Sequence, residues 1–208
     1  MMLYKYIPAE YGMRSIKSNN FKLTTVMEAN DPYEFKSIKN LEGGITDLIC
    51  HPSFSDNYLI ACFSRNFKSP VMWSHYAENH TGFVLGYECL NNKKLIKVKY
   101  VDKLSKYKNI NFNNIITHLA TVKYSEWSYE EEIRMLFSKK IDSVFTENSK
   151  HFFLDLTNNN EFYLKKVIFG INCKENMYYE EITKISPYLK IFKAEQSHNN
   201  FKIRAKKV

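Results

Sequence analysis

Glycine is scarce. Six residues in 208 leave little material for a glycine-rich phosphate cradle, and the chain has neither a Walker loop nor a GxGxxG run. A nucleotide bound here has to be held by side chains and strand edges. Cysteine is equally sparse and scattered: Cys50, Cys62, Cys89 and Cys173 form no CxxC pair, which excludes a zinc knuckle and a small disulfide framework. These cysteines read as free thiols, with Cys62 and Cys89 inside strand-like runs. His75 and His80 stand five apart, not the three or four that place two ligands on one helix face. With no HExxH and no HxE…CxxC, a metal site is not expected, and no GxSxG nucleophile elbow is present. No apolar run approaches the roughly 18 residues of a membrane span. The start, Met1-Met2-Leu3-Tyr4-Lys5-Tyr6-Ile7, is too short and too polar for a secretory signal. A soluble, cytoplasmic protein is the expectation.

What is present is ample for a core: 44% hydrophobic residues, with fifteen Tyr and fifteen Phe. The length suits a single domain over residues 1–208, and no linker, repeat or low-complexity tract divides it. The net charge of +8 suits a polyanionic partner such as nucleic acid. The simpler reading is a Lys- and Asn-rich composition with lysines solvated all over, since charge alone identifies no partner.

Leu3–Ile7 reads as a strand, and Pro8 then opens a helix to about Lys17 that Asn19-Asn20 stops. Phe21–Val26 is a second strand. Asp31, Pro32 and Glu34 have the form of a capping box for a short helix. Gly43-Gly44 marks a loop, and residues 45–50 form a helix or a strand. Tyr58–Ser64 is nearly continuous in apolar residues, as in a strand buried on both faces. Ser69-Pro70 starts a helix over residues 71–78. Strands follow at Phe83–Glu88 and, half-solvated, at Leu95–Val101. An amphipathic helix spans Asn109 to about Val122. Strands at His151–Leu156 and Phe162–Ile171, a helix at Lys174–Ser186, and strands at Tyr188–Ala194 and Asn200–Ala205 complete the chain. Roughly ten strands and five helices without regular βαβ alternation give an α+β fold of two packed antiparallel or mixed sheets with flanking helices.

The stretch Trp127-Ser128-Tyr129-Glu130-Glu131-Glu132-Ile133-Arg134-Met135-Leu136-Phe137 runs from three carboxylates into an apolar strand. Period-two alternation places Glu130, Glu132 and Arg134 on one face of that strand. A carboxylate tolerated next to a core is often functional, so Glu132 is a candidate catalytic or ligand-orienting acid. Its alternative role is an ion pair with Arg134. Trp73, His75 and Tyr76 share a helix on which Trp73, Tyr76 and Ala77, at i, i+3 and i+4, read as plain core, or the aromatics as a clamp on a planar ring.

Six blocks occur in order: Leu-Tyr-Lys-Tyr, Asn-Asp-Pro-Tyr-Glu, Cys-Phe-Ser, Met-Trp-Ser-His-Tyr-Ala-Glu-Asn-His-Thr-Gly-Phe, Trp-Ser-Tyr-Glu-Glu-Glu-Ile-Arg and Lys-Lys-Val-Ile-Phe-Gly. Together they resemble a bacterial family of unknown function, DUF2971. More distantly, the order of parts resembles the ADP-ribosyltransferase fold of poly-ADP-ribose polymerases and related DNA-modifying toxins. The matching positions are Lys5 and Tyr6, Cys62-Phe63-Ser64, Ser74-His75-Tyr76-Ala77, Gly82-Phe83-Val84-Leu85, and Glu131-Glu132-Ile133-Arg134-Met135-Leu136, followed by Leu164–Ile168. That resemblance implies NAD as substrate, gripped by Lys5, Tyr6, Ser64, Trp73, His75 and Tyr76. It implies Glu132 as the catalytic acid and Glu130 as the residue that orients or deprotonates the acceptor. It also implies a nucleic-acid or protein acceptor, guided by lysines between Lys93 and Lys108 and between Lys202 and Lys207, in toxin or phage-defence biology. The departure is Lys5, where the fold usually offers His or Arg. Lysine grips a phosphate as a point charge without a planar fork. The alternative reading is a non-catalytic module that binds nucleic acid or protein.

Overall fold

The computed structural model describes residues 1–25, 28, 30–33, 38–39, 58–106, 115–139, 144–147 and 151–208. The strands are β1 (Met2–Ile7), β2 (Asn20–Thr25), β3 (Ile38–Lys39), β4 (Tyr58–Ser64), β5 (Phe83–Cys89), β6 (Ile96–Lys97), β7 (Lys99–Val101), β8 (Ser105–Lys106), β9 (Val122–Tyr124), β10 (Glu132–Ser138), β11 (Val144–Glu147), β12 (His151–Asp155), β13 (Phe162–Phe169), β14 (Lys190–Gln196) and β15 (Ile203–Lys207). Helices occupy Ala9–Lys17, Pro70–Tyr76, Ile115–Thr121 and Tyr179–Ile185. The fold is mixed α+β. Residues 45–50, Glu34 and the first part of the helix expected from Asn109 lie outside the described residues. At Asp31 the side chain accepts the Tyr33 N–H at 2.9 Å, an Asx-type turn.

Eleven strands form one mixed sheet, antiparallel except where β13 and β14 run parallel. β3 pairs with β8 and β7 with β9 in two small ribbons. At β4 and β5 both faces of the large sheet are covered, which is why these strands are apolar almost throughout. One face packs Phe21, Phe63, Tyr87 and Phe162 against Met13 and Ile16 of the first helix and Ile182 of the last. The other face packs Tyr6, Val84 and Ile168 against Met72 and Trp73 of the Pro70–Tyr76 helix. Each such side chain, fully buried, contributes about 1.5–3 kcal/mol.

The feature that positions the site is a fork beside β4. One edge of β4 is paired along its whole length with β10, from Glu132 opposite Ser64 to Ser138 opposite Tyr58. The other edge is shared: β1 meets it at Ser64 and β2 at Ile60 and Leu59. Neither strand pairs with Ala61, Cys62 or Phe63, so the sheet divides there into a β1-β5-β13-β14-β15 arm and a β2-β12-β11 arm.

Two expectations need correction. Leu95–Val101 is not one strand, because the Val98 N–H turns to the Glu132 carbonyl at 3.1 Å, while β6 goes to β10 and β7 to β9. Nor do Glu130, Glu132 and Arg134 share one strand face. Ser125–Glu130 is a 3-10 helix, Glu131 has φ 44°, and β10 begins only at Glu132.

Candidate functional site

The fork opens into a cavity of about 270 Å³. Lys5 and Tyr6 of β1, Cys62 and Ser64 of β4, Glu132 and Arg134 of β10 contribute to its wall. Glu130, Lys123 and Tyr76 complete the polar side. The position of each follows from local structure. The Ser69 side chain accepts the Met72 N–H at 3.3 Å and Pro70 fills the first turn, which fixes the helix carrying Tyr76. The left-handed Glu131 ends the 3-10 helix and swings Glu130 back toward that helix, while Glu132 stays on the sheet.

Four charged side chains, all nearly buried, meet at the wall: Glu130, Glu132, Lys123 and Arg134. Arg134 grips Glu132 with two bonds, Nε to Oε1 at 2.9 Å and Nη2 to Oε2 at 2.8 Å, and donates Nη1 to the Ala120 carbonyl at 3.0 Å. Lys123 Nζ donates to Glu130 Oε2 at 2.6 Å and reaches Glu132 Oε2 at 3.4 Å. The Tyr76 hydroxyl donates to Glu130 Oε1 at 2.6 Å. Tyr100, through its hydroxyl oxygen, accepts the Glu132 N–H at 2.9 Å.

The two acids are driven apart in acidity. Burial raises the Glu130 carboxyl, Lys123 opposes it, and the neighbouring Glu132 charge raises it further. Burial would raise Glu132 too. There the Arg134 charge and its hydrogen bonds, with help from Lys123 and the Cys62 thiol, prevail and hold the carboxyl down at about 2. The two carboxyls are therefore inequivalent, Glu132 held down by its guanidinium partner and Glu130 raised by its burial.

Lys5 lies in the fork itself. Its ammonium donates to the Cys62 carbonyl at 3.3 Å, the part of the β4 edge that neither arm pairs with, and stands between the Phe21 and Phe63 rings at 5.8 and 5.6 Å. Burial pushes its pKa down. Tyr6 donates its hydroxyl to the Asn66 carbonyl at 3.2 Å. Ser64 accepts the Asn66 N–H at 3.4 Å. Of the three aromatic candidates on the Pro70–Tyr76 helix, Tyr76 reaches the cavity wall. Trp73 is wholly buried behind Tyr6, edge-on to it at 5.4 Å, with Nε1 donating to the Phe67 carbonyl at 2.7 Å. His75 is exposed and bonds the Tyr129 hydroxyl at 3.2 Å.

A protein-family model, that of the family of unknown function DUF2971, matches residues 72–135. The match supports this family. No curated protein and no solved structure matches the chain. The DUF2971 window begins on the Tyr76 helix and ends in β10, so it contains Tyr76, Lys123, Glu130, Glu132 and Arg134 and leaves out Lys5, Tyr6 and Ser64.

Sequence reasoning missed Lys123. It lies one residue beyond the expected end of an amphipathic helix, where a lysine is unremarked. The usable signal was electrostatic: carboxylates entering a core need cations beyond Arg134. The basic runs are partly neutralised, Lys94 by Glu161 at 2.6 Å and Lys206 by Glu195 at 3.8 Å. Lys108 lies outside the described residues. Among the described residues, no helix is long and apolar enough to cross a membrane. No group of three His, Cys, Asp or Glu among them is arranged to hold a metal.

Proposed function

We propose that the fork cavity binds the nicotinamide-ribose end of NAD and that the chain transfers ADP-ribose from it to a nucleic-acid or protein acceptor. The observation that carries this reading is convergence. Lys5 and Tyr6, Ser64, Tyr76, Glu130 and Glu132 come from separate segments of the chain, and all of them line one cavity beside the first strand. Its volume lies just below the roughly 300–1,000 Å³ of small-molecule sites, which suits one end of a dinucleotide and not the whole.

In this reading the bond between the ribose C1′ and nicotinamide breaks first in the transition state. Its electron pair leaves with nicotinamide, and positive charge develops on the ribose. Glu132, ionised throughout the neutral range, stabilises that charge through a ribose hydroxyl. The long 3.4 Å contact from Lys123 is the bond such a hydroxyl would replace. The acceptor then adds to C1′ and gives its proton to Glu130, whose raised pKa suits a general base.

A second reading is favoured by one observation. Arg134 occupies both oxygens of Glu132, the geometry of a structural ion pair in a non-catalytic module that binds nucleic acid or protein. Incubation of the wild type and Glu132→Gln with labelled NAD and mixed acceptors separates the two. Nicotinamide release by the wild type alone supports the transferase. Neither label transfer nor nicotinamide release from either protein overturns it.

A further inference from the structure

We propose that Lys166, with Lys190 beside it, is a phosphate-binding rim of the fork cavity, so that the ligand is a phosphorylated nucleotide rather than a bare nucleoside. This deepens the NAD reading and rests on it.

A row of residues crosses the large sheet. Tyr4 of β1 is opposite Gly86 of β5, Gly86 is opposite Lys166 of β13, and Lys166 is opposite Lys190 of β14. Tyr4 lines the cavity, so the row leads to its edge. Gly86 has no side chain, and the stem of Lys166 fills the vacancy. A Cβ at position 86 would collide with Lys166 Cγ and stand 3.0 Å from Cδ. Lysine thus lies across β5 toward the cavity, with its ammonium 5.8 Å from the centre of the Tyr4 ring and 5.4 Å from that of Phe192. Two aromatic faces hold the charge in place without neutralising it.

The neighbouring lysines differ. Lys165 is paired with Glu88 at 3.6 Å and Lys193 with Glu175 at 2.6 Å. Among the described residues, neither Lys166 nor Lys190 has a carboxylate partner. Within the wall, Glu130 and Glu132 are matched by Lys123 and Arg134, so that network offers an anion no net charge. The remaining cation of the wall, Lys5, lies in the fork and gives its hydrogen bond to the Cys62 carbonyl, so recognition of a phosphate falls to the rim of a cavity that has room for only one end of a dinucleotide.

The test is calorimetric titration of the full chain with NAD, nicotinamide riboside and inorganic pyrophosphate at two salt concentrations. Lys166→Gln is expected to weaken NAD and pyrophosphate binding by about tenfold and to flatten their salt dependence. Riboside binding stays unchanged. Gly86→Ala retains the lysine charge but displaces its stem, and is expected to give the same loss, whereas Lys166→Arg restores most of the affinity. Equal NAD affinity in the wild type and Lys166→Gln overturns the rim and leaves the NAD reading intact. Pyrophosphate binding that Lys166→Gln weakens, without NAD binding by the wild type, supports the rim and overturns the NAD reading. A wild type that binds neither probe overturns both.

Discussion

Glu132 and Arg134 leave water together, and the cost of separating them is large because each is almost fully enclosed. Arg134→Met leaves the carboxylate only the long Lys123 contact and the weak Cys62 thiol, and is expected to cost about 3–5 kcal/mol. Arg134→Met combined with Glu132→Gln recovers most of that loss. Urea unfolding of the four proteins of the cycle measures the coupling. Acidity gives a second handle on the same pair. The folded Glu132 carboxyl sits at about 2, below its ordinary value of about 4.3. Its stabilising contribution is therefore complete above pH ~4.3 and is lost as pH falls toward 2. Glu130, raised by burial, works in the opposite sense and softens the trend. The stability gap between the wild type and Glu132→Gln should close across that acid window in unfolding curves taken at successive pH values.

Between residue and sheet, the corner at Glu131 has the largest consequences. A non-glycine residue at φ 44° is held in a sparsely populated conformation. Glu131→Gly is expected to change stability by less than about 1 kcal/mol, because glycine accepts this φ freely but loses more entropy on folding. Glu131→Val costs more than about 1 kcal/mol, since a β-branched side chain fits the left-handed region poorly. Thermal unfolding of both variants checks the contrast. The corner also explains what could and could not be read in advance. Tyr58–Ser64 and Phe83–Glu88 announce themselves because a strand covered on both sides has to be apolar. The Ser69-Pro70 start is equally plain, since capping chemistry is local. A left-handed glutamate leaves no such trace in composition, so Glu130 was assigned to a strand it does not join. Its proximity to Tyr76 and Lys123 is a product of that unseen turn.

For the whole molecule, the division of the sheet beside β4 is the organising fact. It was not legible, because it depends on where β1 and β2 stop pairing, which is a matter of register rather than residue type. Of the residues flanking it, Glu130, Glu132 and Tyr76 stand out by residue type and spacing, Lys5, Tyr6 and Ser64 come only through the family resemblance, and Trp73 and His75, named with them, do not line the cavity. Lys5 has a cost there as a half-buried cation among rings. Lys5→Met retains the stem and places a thioether over Phe21 and Phe63. It is expected to leave the urea midpoint within the equivalent of about 1 kcal/mol, while the nicotinamide release that the proposed transferase reading requires falls at least tenfold. Loss of both together would mark Lys5 as a purely structural residue.

In a strand, a residue's N–H and C=O turn to the same side. The Cys62 carbonyl faces Lys5 across the gap, so the Cys62 amide faces it too. Alternate β4 amides are tied into β10 and open only with the sheet. Cys62 lies on the stretch of β4 that neither β1 nor β2 pairs with. Its deuterium uptake is therefore a clock for occupancy: fast in the free protein, slowed by any ligand that fills the fork, and unmoved by ligands that bind elsewhere.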